Sequence, residues 1–149
     1  MILARFHGFH PGLALGLAAA LALLWGTPGR TQTGNFEVEL NAAADVPGAC
    51  RLTFVATNGT GVALTSTSYE VAVFDSAGVV SAIVVLEFGA LPLNKTRVVQ
   101  FDLPEFGCAK LSRILVNGQD QCLSAEGERD ICMTALSASS RIPAIPFGL

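Results

Sequence analysis

The groups in this chain best suited to chemistry are four cysteines and twelve carboxylates. Cys50, Cys108, Cys122 and Cys132 are separated by 57, 13 and 9 residues. No Cys-x-x-Cys occurs, so the spacing does not match a zinc cluster. In an exported domain four cysteines read as two disulfides, with three pairings available. Glu70, Glu87, Asp102 and Glu105 lie in or beside apolar stretches. Two of them facing one another across a cleft would suit glycoside hydrolysis. Asp120, Glu126, Glu128 and Asp130 fall in the most polar stretch, Gly118 to Asp130. Oxygen ligands for calcium could gather there, but the spacing lacks ligands at alternate positions around a glycine. The simpler reading is a solvated loop pinned by Cys122 and Cys132, rigid enough to present a binding surface. Ser137, Ser139 and Ser140 have no histidine to activate them, and neither Lys95 nor Lys110 is spaced to serve instead. Asn58-Gly-Thr60 and Asn94-Lys-Thr96 match a glycosylation sequon, although both segments already serve as turns.

Two absences narrow the chemistry further. Both histidines, His7 and His10, and the only tryptophan, Trp25, precede residue 30. The remainder has one tyrosine, Tyr69. Without histidine there is no Ser-His-Asp or Cys-His pair, no His-ligated zinc and no side chain that ordinarily titrates near neutral pH. With so few large aromatics, stacking platforms for sugars or bases are scarce. The sequence thus predicts no catalytic residues, no metal and no cofactor. From Arg30 onward eight basic and twelve acidic residues leave a net charge of −4. That excess disfavours nucleic acid and anionic membrane surfaces as partners.

The first part of the chain is patterned differently. A weakly basic start leads into the unbroken apolar run Leu13–Trp25, followed by Gly26-Thr27-Pro28-Gly29. This order predicts a secretory signal peptide over 1–29, with the cut between 26 and 34. Thirteen apolar residues fall short of the roughly 20 that a spanning helix needs. No membrane insertion is expected after cleavage, and the destination is periplasmic or secreted.

The elements that must position the remaining groups follow a period of two rather than 3.6. Phe36, Val38 and Leu40 alternate with Glu37, Glu39 and Asn41. The same rhythm recurs around Leu52–Ala56, Tyr69–Val73 and Val99–Leu103. Ser81–Phe88 is a longer run, apolar on both faces at Ile83-Val84-Val85-Leu86. It reads as a central strand; with its outer face bare it would mark a protein contact or a strand-addition edge. Lys110–Val116 and Ile131–Ala138 complete seven strand candidates. Pro47-Gly48, Asn58–Gly61, Asp75–Gly78, Leu91–Asn94 and Asn117-Gly118 supply turn chemistry between them. Ser124–Asp130 has room for one helical turn, and 141–149, with two prolines, is expected to be extended or frayed. Seven short strands at this spacing predict an all-β, two-sheet, immunoglobulin-like sandwich over 35–140. An eight-stranded outer-membrane barrel is disfavoured by the lack of aromatic girdles.

Strand order discriminates among the cysteine pairings. Direction alternates along such a chain. Cys50 opens the second strand and Cys108 lies between the fifth and sixth, so both belong to one end. Cys122 and Cys132 flank the last connection, at the other end. The expected bridges are Cys50–Cys108 and Cys122–Cys132.

Residues 50–104 carry a family likeness. Leu52-Thr-Phe-Val-Ala-Thr-Asn58 precedes Tyr69-Glu-Val-Ala-Val-Phe-Asp75-Ser-Ala-Gly78, then Leu91-Pro-Leu-Asn-Lys-Thr-Arg-Val-Val-Gln-Phe101. This resembles the FxLYD-type, immunoglobulin-like domains of bacterial exported proteins, and the whole chain is similar to small exported proteins of alpha-proteobacteria. The Leu-Tyr before the hairpin aspartate is replaced here, and four cysteines are added. The resemblance implies a non-enzymatic scaffold or interaction module and transfers no functional residues. The expectation is an exported module binding another envelope protein. A small carboxylate-dependent hydrolase and a calcium-stabilised adhesion domain are the alternatives.

Overall fold

The computed structural model describes residues 34–149; the expected leader, 1–29, lies outside them. Alternation sets the inward faces. β1 (Phe36–Val46) buries Phe36, Val38 and Leu40, and a bulge between Leu40 and Ala42 then interrupts its register. β2 (Ala49–Asn58) buries every second residue from Cys50 to Asn58. β3 (Ser66–Asp75) turns Tyr69, Val71 and Val73 inward. β4 (Val80–Glu87), β5 (Thr96–Pro104), β6 (Leu111–Ser124) and β7 (Gly127–Glu128) follow. The helical turn α1 (Ile131–Thr134) then leads to β8 (Leu136–Ser140) and β9 (Phe147–Gly148). The strands make an all-β sandwich of two sheets, ordered β5-β2-β1-β8 and β4-β3-β6-β7, with β9 also on β6. Neighbours are antiparallel except β8 on β1 and β9 on β6. Among the described residues no helix is long and apolar enough to cross a membrane.

An aromatic cluster locks the two inner faces together. The Phe54 ring meets those of Phe88, Phe101 and Phe147 with centroids 5.9, 5.9 and 5.1 Å apart. Phe88 in turn meets Tyr69 at 6.0 Å and Phe101 at 5.6 Å. These edge-to-face contacts each add about 0.5–1.5 kcal/mol to the burial of the rings. They draw on β2 and β5 from one sheet and β3 and β9 from the other.

Asn58 stands where the chain leaves the first sheet. It is fully buried, and its Nδ2 donates to the carbonyls of Val62 and Leu91, both at 2.8 Å. Its Oδ1 accepts from the Thr60 N–H at 3.1 Å and the Thr60 hydroxyl at 2.7 Å. The crossing from β2 to β3 and the crossing from β4 to β5 thus share one side chain.

Several expectations are corrected. Asn117-Gly118 does not end the sixth strand. β6 continues to Ser124 by way of register shifts against β3, so most of the polar stretch Gly118–Asp130 is strand and hairpin rather than loop. Ser124–Asp130 forms that hairpin, and the helical turn falls at Ile131–Thr134, where a seventh strand was expected to begin. The run Ile83–Leu86 is not central: β4 is the edge of its sheet. The segment 141–149 is extended but docked, with Ile145 and Phe147 in the core.

The disulfides clasp opposite ends. Cys50 on β2 is bonded to Cys108, which opens a 3-10 turn over Cys108–Lys110. Cys122 on β6 is bonded to Cys132 on α1. β2 runs from Cys50 to Asn58, and Ser66, just beyond the crossing, pairs with Leu123. The second bridge therefore sits at the far end from the first. Their sequence separations are 58 and 10 residues.

Loop-closure entropy scales with those separations, giving about 4 kcal/mol for the long bridge and about 3 kcal/mol for the short one. Urea unfolding should therefore rank Cys50→Ala/Cys108→Ala below Cys122→Ala/Cys132→Ala by about 1 kcal/mol. Asn58→Ala, with both bridges intact, should lose about 3 kcal/mol because it strands several buried partners at once. A loss under about 0.5 kcal/mol would mean that water or relaxed backbone replaces the amide.

Candidate functional site

The acids singled out by sequence are dispersed. Asp102 lies on the outer face of the first sheet, where Arg51 grips it through Nε and Nη2 at 2.7 and 2.8 Å. That guanidinium holds the Asp102 carboxyl below its ordinary range. Glu105 follows β5 in a left-handed backbone conformation, φ 66°, with its N–H on the Gly48 carbonyl at 2.8 Å. It borders a shallow, open depression with Asp45 and Phe106. Glu70 and Glu87 share the outer face of the second sheet, since Glu70 pairs with Val85 and Ser68 with Glu87. As diagonal neighbours their Cα atoms lie roughly 7–8 Å apart. They stand on an open face, without the walls a glycosidic cleft requires.

The polar hairpin is occupied internally. Glu126 accepts from Ser124 at 2.8 Å and from Arg129 at 3.0 Å, and the Ser124 hydroxyl first, then Arg129, hold its carboxyl below its ordinary range. Asp120 accepts from the Ser68 hydroxyl at 2.7 Å. Among the described residues no three His, Cys, Asp or Glu side chains converge as a metal site. Ser137 and Ser139 lie on β8, and the Ser140 hydroxyl caps the Ile142 and Ile145 carbonyls. The Asn58 amide is buried in its own network, and Asn94 takes a left-handed turn at φ 55°.

Other carboxylates hold the backbone. Asp75 Oδ1 accepts from the N–H groups of Ala77 and Val79, both at 2.9 Å, and closes the β3–β4 hairpin. The Val79 N–H chiefly keeps its carboxyl below the usual value. Asp45 Oδ1 accepts from the Cys108 N–H at 2.7 Å. Glu39 is held low by Asn41 first and Arg141 second.

The surface with the most to offer is the outer face of the second sheet. Its rows are set by register: Ile83, Ala72 and Leu115; then Val85, Glu70 and Gly118; then Glu87, Ser68 and Gln121. Ile83 is 60% exposed and Val85 45%. Beyond Ile83, the Arg113 guanidinium lies 5.6 Å from the centroid of the Phe74 ring. The face is apolar in the middle and acidic at one end. Sequence reading found the apolar run but missed its neighbours Arg113 and Leu115, which only the pairing of β3 with β6 brings to it, while Phe74 reaches it by pairing with Val80. The first sheet's outer face is more polar: Val98 pairs with Val55 among Thr57–Thr96 and Arg51–Asp102.

Comparisons with family models, curated proteins and solved structures return no match to this chain.

The buried phenol offers a direct probe of this architecture. Tyr69 donates its hydroxyl to the Cys132 carbonyl at 2.6 Å, and burial pushes it well above its ordinary value of 10.0. The folded state favours the neutral phenol. Its contribution to stability is present below about pH 10 and is lost as pH rises beyond that value. Glu39, Asp75, Asp102 and Glu126 are lowered, so their contribution is present above about pH 4 and is lost on acidification. The denaturation midpoint should be flat from about pH 5 to 9 and fall on either side. Phenolate absorbance should appear only together with unfolding, and Tyr69→Phe should soften the alkaline limb. Phenolate growing in gradually near pH 10 with the fold intact would place the hydroxyl in solvent.

Proposed function

We propose that this domain is an exported, non-enzymatic binding or scaffold module that engages another protein in the periplasm or outside the cell. Two disulfides fit an oxidising compartment. The observation that carries the reading is the apolar centre of the second sheet's outer face, with Ile83 and Val85 open to solvent on an edge strand. Soluble domains keep contiguous apolar patches small unless a partner covers them. The described carboxylates favour this reading over hydrolysis, because several are spent on backbone and guanidinium contacts and Glu70 and Glu87 stand on an open face. A calcium-stabilised adhesion role draws no support from the hairpin, where Glu126 is already engaged by Ser124 and Arg129.

Immobilised protein should retain a specific protein from the source envelope fraction. Ile83→Asp should reduce that retention at least tenfold without shifting the melting transition by more than a degree or two. Val98→Asp, on the opposite sheet, should leave it unchanged. Equal retention by both variants, or none by the unaltered protein, would overturn the proposal.

A further inference from the structure

Among the described residues, the edge of β4 carries an exposed apolar run with little to protect it. The Phe88 N–H bonds the Thr67 carbonyl at 2.9 Å, continuing the pairing of Leu86 with Tyr69 and Val84 with Val71. In an antiparallel ladder hydrogen-bonding direction alternates from residue to residue. Even-numbered residues of β4 therefore face β3, while Ile83, Val85 and Glu87 point their N–H and C=O groups away from the sheet. Sheet edges are ordinarily protected by charge, proline or a bulge. The β4 bulge falls at Ser81, beside the hairpin, and from Ala82 to Leu86 none of these devices occurs. The β5 edge, by contrast, carries Arg97, Asp102 and Pro104.

We infer that β4 accepts an added antiparallel strand from a partner protein, with apolar side chains opposite Ile83 and Val85 and a cationic one opposite Glu87. This rests on the binding-module reading above and names the partner's chemistry. Charge selects the occupant. Glu87 has no ion pair among the described residues, and Glu70 and Asp120 add negative potential behind it on the same end of the face. A second copy of this chain is the poorer fit. Pairing β4 with itself about Val84 sets Glu87 opposite Ser81, and β4 carries no Lys or Arg to meet it. Antiparallel pairing is the more stable option per residue, so the incoming strand reads from its cationic residue toward its apolar ones.

The test uses the full domain and an acetylated peptide reading Lys-Thr-Val-Thr-Ile-Thr, with a second peptide carrying Glu in place of Lys. Amide exchange followed by NMR should slow at least tenfold for Ile83, Val85 and Glu87 at saturating Lys peptide, and the Glu peptide should bind several-fold more weakly. Val85→Pro removes one outward N–H, which folding does not use, and should abolish binding with an unchanged melting transition. Ile83→Lys should weaken the Lys peptide as a second variant, whether or not the proline is tolerated. No protection by the Lys peptide, or equal affinity for both peptides, would overturn the inference. So would protection that grows with protein concentration in the absence of peptide, which would assign the edge to a second copy. If the peptides fail while Ile83→Asp still releases the envelope partner, the strand-addition inference falls and the binding-module reading stands.

Discussion

Two sheets can face one another only if the chain crosses between them, and each crossing takes backbone groups out of reach of their ladder partners. Unpaired, such groups cost about 1–3 kcal/mol each once buried. Asn58 resolves this for two crossings together. Its amide supplies two donors and its oxygen accepts twice, matching the Val62 and Leu91 carbonyls and the Thr60 N–H and hydroxyl. Its own N–H and carbonyl meet Lys95 and Asn94. Tyr69 does similar work for the crossing from β7 to β8, where α1 passes between sheets and the Tyr69 hydroxyl donates to the Cys132 carbonyl. The aromatic core can be dry because these polar atoms are paired at its margins.

Closure on one side leaves the other side open. The C-terminal segment adds β8 beside β1 and β9 beside β6, and Ile145 and Phe147 fill the space between. That side of the sandwich is sealed by parallel additions to both sheets. The opposite side ends in β5 and β4, whose connection crosses between sheets through Phe88 and Leu91. β5 is covered with charge and a proline. β4 is held by β3 on one flank and by the inward packing of Leu86, and its other flank is backbone. An apolar outer face beside an open flank distinguishes β4 from the other edges.

The fold was legible where one face of a strand is buried and the other wet. Phe36, Val38 and Leu40 announce β1 because a one-residue slip would expose all three. The two bridges join cysteines that strand direction places at common ends. Legibility failed where sequence rhythm and pairing part company. Ile83–Leu86 reads the same for a central and an edge strand, since apolar residues on both faces do not say which flank is covered. The tight Asp75–Gly78 hairpin fixes β4 beside β3, but only the pairing of β6 on the far side of β3 leaves β4 at the margin. Asn117-Gly118 carries turn chemistry, yet the register shifts between β3 and β6 absorb it as irregular strand. Cys132 sits in an apolar run with a strand-like look, and the bridge to Cys122 together with the Tyr69 hydroxyl holds it in a helical turn instead.

The distribution of carboxylates explains why the chain looks more reactive in sequence than in three dimensions. Asp75 closes a hairpin, Asp45 anchors the turn at Cys108, Asp102 pairs with Arg51 and Glu126 ties down the β6–β7 hairpin. Each is lodged against a donor that its own neighbourhood must satisfy, so its charge is consumed locally. Glu87 differs because its nearest cross-strand neighbour is a serine and the next strand position is empty. A charge left uncompensated at the end of an apolar row selects for the sign of whatever approaches, without adding much affinity of its own. Affinity would come from the backbone of Ile83 and Val85 and from the apolar row beside them, and Glu87 would set which end of the incoming strand arrives there.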